Sequence, residues 1–455
     1  MSARGNKESI FIGGLPDSKP PLILELIFPY PSFLRKTFLL LTYIPFFKMK
    51  DSLFGWKKEW TGFVVAVIVL RLIYAGIGLW VVSSGGPIPL HETIYGVMKP
   101  FLRTDLFSQY FVNPWFGWDT IAYLGIAILG YGPDGSIAFM PLYPLLIRFT
   151  SPIFGGNYLL AALILSTVFC MIALILMYEL FATNYPQRIA RDAVVMFLTF
   201  PTAFFLLAGY TESLFITLVL TFWILARKKQ WFWAAICAGL ASLTRLQGVV
   251  LSAVMLWMML ISLVEQPATG IPGQLRQIFG IFISFREKLV KSVNSATWLV
   301  VLIPPLFAAS YQVWLKLSGY GTIADALRKY WRLETVPPWT GFILFLQRLP
   351  SRHFNYMDWI DLTLFIVILI ASLVGLRLLD PAFSLYIWLT IAVFLTRGTP
   401  PHLLASYSRY FLALFPLFLL PASLPKKYQR LSVLIFSYSL QILLVSIFLW
   451  GSWVA

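Results

Sequence analysis

The chain has 455 residues, of which 59% are hydrophobic and only 12% charged, with a mean hydropathy of +0.79. A water-soluble domain carries about 25% charged residues, so this composition excludes a globule covered by water and points to a polytopic α-helical membrane protein. The formal net charge of +16 is not a nucleic-acid footprint, because the Lys and Arg residues lie mostly in short loops between apolar runs, where they orient helices and meet anionic lipid. Cys170 and Cys237 both fall inside apolar runs, which argues against a structural disulfide.

Residues 1–61 form an N-terminal cytoplasmic or interfacial segment ahead of a membrane domain over residues 62–455. Within it, Leu34 to Phe47 is apolar, but Pro29, Pro31 and Pro45 leave it too short and too interrupted to span. Lys48, Lys50, Lys57 and Lys58 then precede the first clear span, Gly62 to Val82, and place its start on the cytoplasmic side. Residues 83–157 are a long external loop, rich in Pro and aromatics, with interfacial helices near Tyr123–Leu129 and Ile137–Phe149.

Ten further spans follow: Tyr158–Phe181, Ala193–Ala208, Ser213–Ala226, Trp231–Thr244, Gly248–Val264, Trp298–Leu317, Ile360–Leu378, Pro381–Thr396, Tyr407–Leu420 and Leu431–Trp450, with residues 318–359 as a second large external loop. Alternation over these 11 helices puts Arg188 and Arg191, Arg227-Lys228-Lys229, Arg276 to Lys291, Arg377, and Lys426-Lys427 with Arg430 all on the side of the first lysines. The interruption at Thr244–Gly248 is read as a turn, because an arginine within a continuous lipid-facing helix is expensive. The unusual polar residues then gather on the opposite, external face.

Four of them suggest chemistry. Asp119, in Trp118-Asp119-Thr120, could simply cap a helix; a carboxylate in a membrane-surface cleft also suits a general base. Glu212 could be a favourable charge at a helix start, a partner for Arg245, or an acceptor for a sugar hydroxyl. Arg245 and Arg409 could snorkel at helix ends or bind phosphate oxygens through their forked guanidinium groups. His91, His353 and His402 have no metal-ligand spacing, so no cofactor is required and a divalent metal is not indicated. No phosphate-binding glycine loop or serine nucleophile elbow is present.

The blocks Trp118-Asp119-x-x-x-Tyr123, Phe139-Met140-Pro141-Leu142-Tyr143-Pro144, Tyr210-Thr211-Glu212-Ser213, Thr244-Arg245-x-Gln247-Gly248 and Ser408-Arg409-Tyr410, in this order, resemble the PIG-V family of GPI mannosyltransferases. That resemblance implies a GT-C-type glycosyltransferase fold with its catalytic acid in the first external loop. It also implies a polyprenyl-phosphate-linked sugar donor, typically mannose, and inversion at the anomeric carbon. By position Asp119 would be the base, Arg245 and Arg409 the contacts for the donor phosphate, and Glu212, Tyr210, Gln247, Trp118 and Tyr143 the contacts for sugar or acceptor. Thr120 stands where relatives commonly carry Gly, and the chain has no Asn-x-Ser/Thr sequon; the acceptor is therefore left as a lipid or a glycan, and a prokaryotic plasma membrane is favoured over the endoplasmic reticulum. A lipid flippase and a non-catalytic subunit of a glycosylation complex are the competing readings.

Overall fold

The computed structural model describes residues 57–86, 102–263, 270–283, 295–331, 334–340, 343, 346–347, 356–398 and 406–454. The expectations for residues 1–56, for the three histidines, for the basic residues Arg286, Lys288 and Lys291, and for parts of both external loops lie outside the described residues.

The chain is α-helical, as its composition requires. The main helices are α1 (Lys58–Ser83), α2 (Asp119–Leu129), α3 (Leu142–Thr150), α4 (Tyr158–Ala182), α5 (Gln187–Leu198), α6 (Glu212–Arg227), α7 (Trp231–Thr244), α8 (Val250–Ile261), α9 (Gly270–Ile283), α10 (Ile303–Leu317), α11 (Ile323–Trp331), α12 (Tyr356–Leu378), α13 (Pro381–Leu395) and α14 (Lys427–Leu449). Local chemistry sets several of their starts. The Asn157 side chain accepts from Leu160 N–H at the head of α4 (2.9 Å), and Asp380, just before Pro381, does the same for Ala382 N–H at α13 (2.8 Å). A two-residue antiparallel ladder, β1 (Glu334–Thr335) with β2 (Arg397–Gly398), joins the loops after α11 and α13.

Among the described residues, five helices are long and apolar enough to cross a membrane: Lys58–Ser83, Tyr158–Ala182, Leu299–Leu317, Met357–Leu378 and Lys427–Leu449. The other segments expected among the 11 spans are shorter or interrupted. Helix α6 and the segments Trp231–Thr244, Leu246–Ile261 and Pro381–Leu395 are helical but shorter. Two others are not continuous helices. The segment Ala193–Ala208 stops at Leu198 and resumes only as a short turn over Ala203–Leu206, because Pro201 lacks an N–H and clashes with the preceding turn. The segment Tyr407–Leu420 breaks into turns around Pro416.

Broken backbone at membrane depth survives only where its polar groups find protein partners. That is what happens here. Gln441 of α14 donates its Nε2 to Leu198 O (3.0 Å) and Phe200 O (2.9 Å), and Thr202 Oγ1 donates to Ser408 O (2.8 Å), tying the two interrupted segments together. The break at Thr244–Gly248 is a real turn: α7 ends, Arg245 is extended (φ −150°, ψ 133°), and a new helical segment begins at Leu246. Gly248 permits that turn. A Cβ there would sit 2.6 Å from the Ala241 carbonyl carbon and 2.8 Å from Ser242 Cα.

The bundle has two chemically distinct ends. At one, Lys57 pairs with Glu179 (2.7 Å), Arg188 and Arg430 pair with Asp192 (3.2 and 3.3 Å), and Arg227 pairs with Asp380 (3.5 Å). At the other, Tyr311 Oη donates to the carbonyls of Ile137 and Phe139, and Tyr330 Oη donates to Pro133 O, so that α10 and α11 are stitched to the loop between α2 and α3. Helix α6 runs between them, with Glu212 at its first residue and Arg227 at its last, about 22 Å of rise apart.

Candidate functional site

Each of the four charged residues singled out in the sequence stands at an element terminus. Asp119 is the first residue of α2 and Glu212 the first of α6; Arg245 follows α7; Arg409 lies in the four-residue turn Tyr407–Tyr410. Asp119 is not the cap of its helix. The capping position belongs to Trp118, which makes no side-chain capping bond and holds φ 53°, ψ −127°, a conformation that bulky side chains rarely adopt. The turn leaves the Asp119 carboxylate to long-range partners.

Those partners are the other three residues. Arg409 Nη1 donates to Asp119 Oδ2 at 2.8 Å, across 290 positions of sequence. Its Nε lies 3.3 Å from Glu212 Oε1, and the same oxygen accepts from Arg245 Nη1. Arg245 Nη1 also reaches Thr211 Oγ1 at 3.3 Å. Two acids and two guanidinium groups thus form one continuous cluster. Glu212 and Arg409 are deeply enclosed, with side chains 3% and 9% exposed, while Asp119 is 24% exposed and is the open edge of the group.

Aromatic rings wall the cluster. Tyr410 lies under both guanidinium groups, 5.0 Å from that of Arg245 and 5.3 Å from that of Arg409, and Arg409 also stands over Phe205 and Tyr210. Such contacts strengthen when water is excluded. Tyr210 also fixes the base candidate: its hydroxyl accepts the Asp119 backbone N–H at 3.3 Å. Tyr143 is placed differently. Its hydroxyl is committed to Ala162 O (3.0 Å) and Ser166 Oγ (2.8 Å), so it braces α3 against α4. Gln247 is buried and lines a small cavity with Glu212, Arg245, Arg409 and Tyr410. The cavity holds about 10 Å³, the lower limit for one water.

Buried polar atoms without a partner are rare in folded proteins and call for an explanation. Among the described residues six of the fourteen such atoms, Trp118 Nε1, Thr120 Oγ1, Glu212 Oε2, Ser213 Oγ, Ser408 Oγ and Arg409 Nε, belong to the site residues or their immediate neighbours. Donors and acceptors of this kind suit a polyhydroxylated, anionic ligand. Thr120 fits because Gly209 opposes it: a Cβ on Gly209 would meet Thr120 Cγ2 at 3.0 Å.

Residues 89–284 match the family model for Mannosyltransferase (PIG-V). The matched stretch is similar to that family and carries Asp119, Glu212 and Arg245. A curated relative, GPI mannosyltransferase 2 of Schizosaccharomyces pombe, is 26% identical over 153 residues, 32% of this chain and 32% of the relative. The similarity thus spans about a third of that protein's length. Arg409 lies beyond the family match, and only the tertiary structure joins it to the rest.

Sequence reasoning missed several contributors. Tyr410 and Thr211 flank residues that were singled out, yet nothing in their spacing marks them as ring or hydroxyl partners of the arginines. Asp361, buried in α12, accepts the Ser408 backbone N–H at 3.1 Å and so supports the turn bearing Arg409. A lone acid inside an apolar run was a usable signal. Among the described residues no group of three or more His, Cys, Asp or Glu is placed to hold a metal ion.

Proposed function

We propose that this chain is a membrane glycosyltransferase of the GT-C type. It moves a monosaccharide, mannose by family, from a polyprenyl-phosphate donor to a lipid or glycan acceptor, at the membrane face away from the basic end. The observation that carries this reading is the convergence of Asp119, Glu212, Arg245 and Arg409, from four distant segments, at the end of the bundle opposite the lysine- and arginine-rich loops. The PIG-V match supports mannose as the sugar.

The chemistry follows from the layout. Asp119, the most open of the four, accepts the proton of the incoming acceptor hydroxyl as that oxygen attacks the anomeric carbon. The bond from that carbon to the phosphate oxygen breaks, and the developing charge on the polyprenyl phosphate is met by Arg245 and Arg409, the electrostatic term that usually contributes most. Arg409 serves both ends of the line. One nitrogen stays on Asp119 while another meets the phosphate, so a single planar group holds base and leaving group in fixed relation. Glu212 takes sugar hydroxyls with its unpartnered Oε2, and Trp118 Nε1 and Gln247 complete the polar lining.

The test is direct. Purified protein is incubated with radiolabelled polyprenyl-phosphate mannose and a membrane lipid extract, and the labelled product is identified. Asp119→Asn should abolish transfer while the variant stays folded and still binds donor lipid. Full transfer by that variant would remove Asp119 from the role of base.

A further inference from the structure

Arg71 sits in the middle of α1, about 18 Å of helix rise from Ser83 at that helix's end. An arginine at such depth in a spanning helix is costly and marks function more often than packing. Its hydrogen bonds among the described residues all go to neutral oxygens. Nε and Nη2 donate to Thr167 Oγ1 (2.9 and 2.7 Å), and Nη2 also reaches Leu163 O (2.9 Å) and Leu207 O. Thr167 Oγ1 in turn donates to Leu163 O (2.7 Å), so its lone pairs are turned toward the guanidinium. The guanidinium carbon of Arg71 lies over the Trp115 ring, 5.4 Å from its centre.

The destinations of these contacts matter more than their number. Leu207 O belongs to the irregular stretch that leads, five residues later, into Glu212. Trp115 leads, four residues later, into Asp119. Neither approach is a regular helix: Leu207 lies past the turn Ala203–Leu206, and Trp118 stands at positive φ. No helical ladder therefore fixes either acid relative to α4. Arg71 binds both approaches and α4 at once.

We infer that Arg71 is a positioning residue for the transfer proposed above, a buried clamp that holds the two acid-bearing segments at the same depth against α4. It rests on that functional reading only for its effect on rate; the clamp itself is a property of the fold. A guanidinium suits the task because its forked donors satisfy several acceptors in fixed directions while its face stacks on an aromatic ring. A lysine could keep the charge and one or two bonds but not the stack.

Two measurements on the purified full-length chain test it: steady-state transfer, and hydrogen exchange read by mass spectrometry on peptides covering residues 113–123 and 203–213. In Arg71→Met, exchange should rise about tenfold in both stretches while α13 keeps its protection. Its kcat should fall about a hundredfold with the donor KM nearly unchanged, the signature of misplaced groups. Arg71→Lys should recover part of the loss. Thr167→Val, which removes one acceptor and leaves the arginine, should shift both readouts the same way by a smaller amount, and it decides the matter if Arg71→Met does not fold. Exchange that stays at the wild-type level in either stretch would overturn the clamp, and so would a rise throughout all helices. Should the wild type transfer no sugar, the functional reading fails, and the exchange data still decide the clamp.

Discussion

Glu212 and Asp119 are both acids held by arginines, yet losing them should be felt differently. Glu212 is enclosed and touches both guanidinium groups. Glu212→Ala therefore takes from Arg245 its ion-pair partner and leaves Arg409 with Asp119 alone, and removing one partner of a buried pair costs about 3–5 kcal/mol. Asp119 is a quarter open to solvent, where water can replace it. In a thermal-shift series Glu212→Ala should lower the unfolding midpoint well below that of Asp119→Asn, and Glu212→Gln should fall between. Equal midpoints would mean that the cluster is not as enclosed as its geometry indicates. At this scale the sequence marked all four charges, because ionisable residues in an apolar chain are conspicuous. It could not show that Arg409 bonds Asp119, a contact across 290 positions.

The elements carrying those residues are short, broken or capped by irregular turns, and glycine decides one of the breaks. The α7 turn holds Arg245 in extended conformation only because Gly248 packs onto the backbone of Ala241 and Ser242. Gly248→Ala forces these backbones apart, and overpacking of this kind typically costs about 1–3 kcal/mol. Gly125, inside α2, has nothing within 4 Å of an added Cβ, so Gly125→Ala should be neutral or gain up to about 1 kcal/mol. Parallel thermal unfolding of the two variants checks the contrast. The break at Thr244–Gly248 was legible, since Arg and Gly interrupt an apolar run there. The breaks at Pro201 and Pro416 are hidden from hydropathy, which registers their neighbours and ignores the missing N–H. What satisfies the first, Gln441 and Arg71, and the Tyr386 hydroxyl that donates to Ala413 O near the second, all come from other helices.

For the whole molecule, the two ends of α6 separate a basic, ion-paired end from the end that holds the site. Cys170 and Cys237 are both buried, so an introduced cysteine can report sidedness without removing them. Gln109→Cys and Lys228→Cys, both at exposed positions, should react with a membrane-impermeant maleimide from opposite sides of sealed, oriented vesicles. Labelling of both from one side would end the two-sided reading of the bundle.

Composition alone determined that this chain lives in lipid, since so few charges cannot clothe a surface in water, and the spacing of its basic loops sets only an expected alternation of the helices. Only the folded chain decided which runs are continuous helices, and that two acids and two arginines share one cluster. The physical reason is that hydropathy is a local property, summed over neighbours in the chain. An ion pair, or a side chain that satisfies a broken helix, depends on which distant segments the packing brings within hydrogen-bond reach.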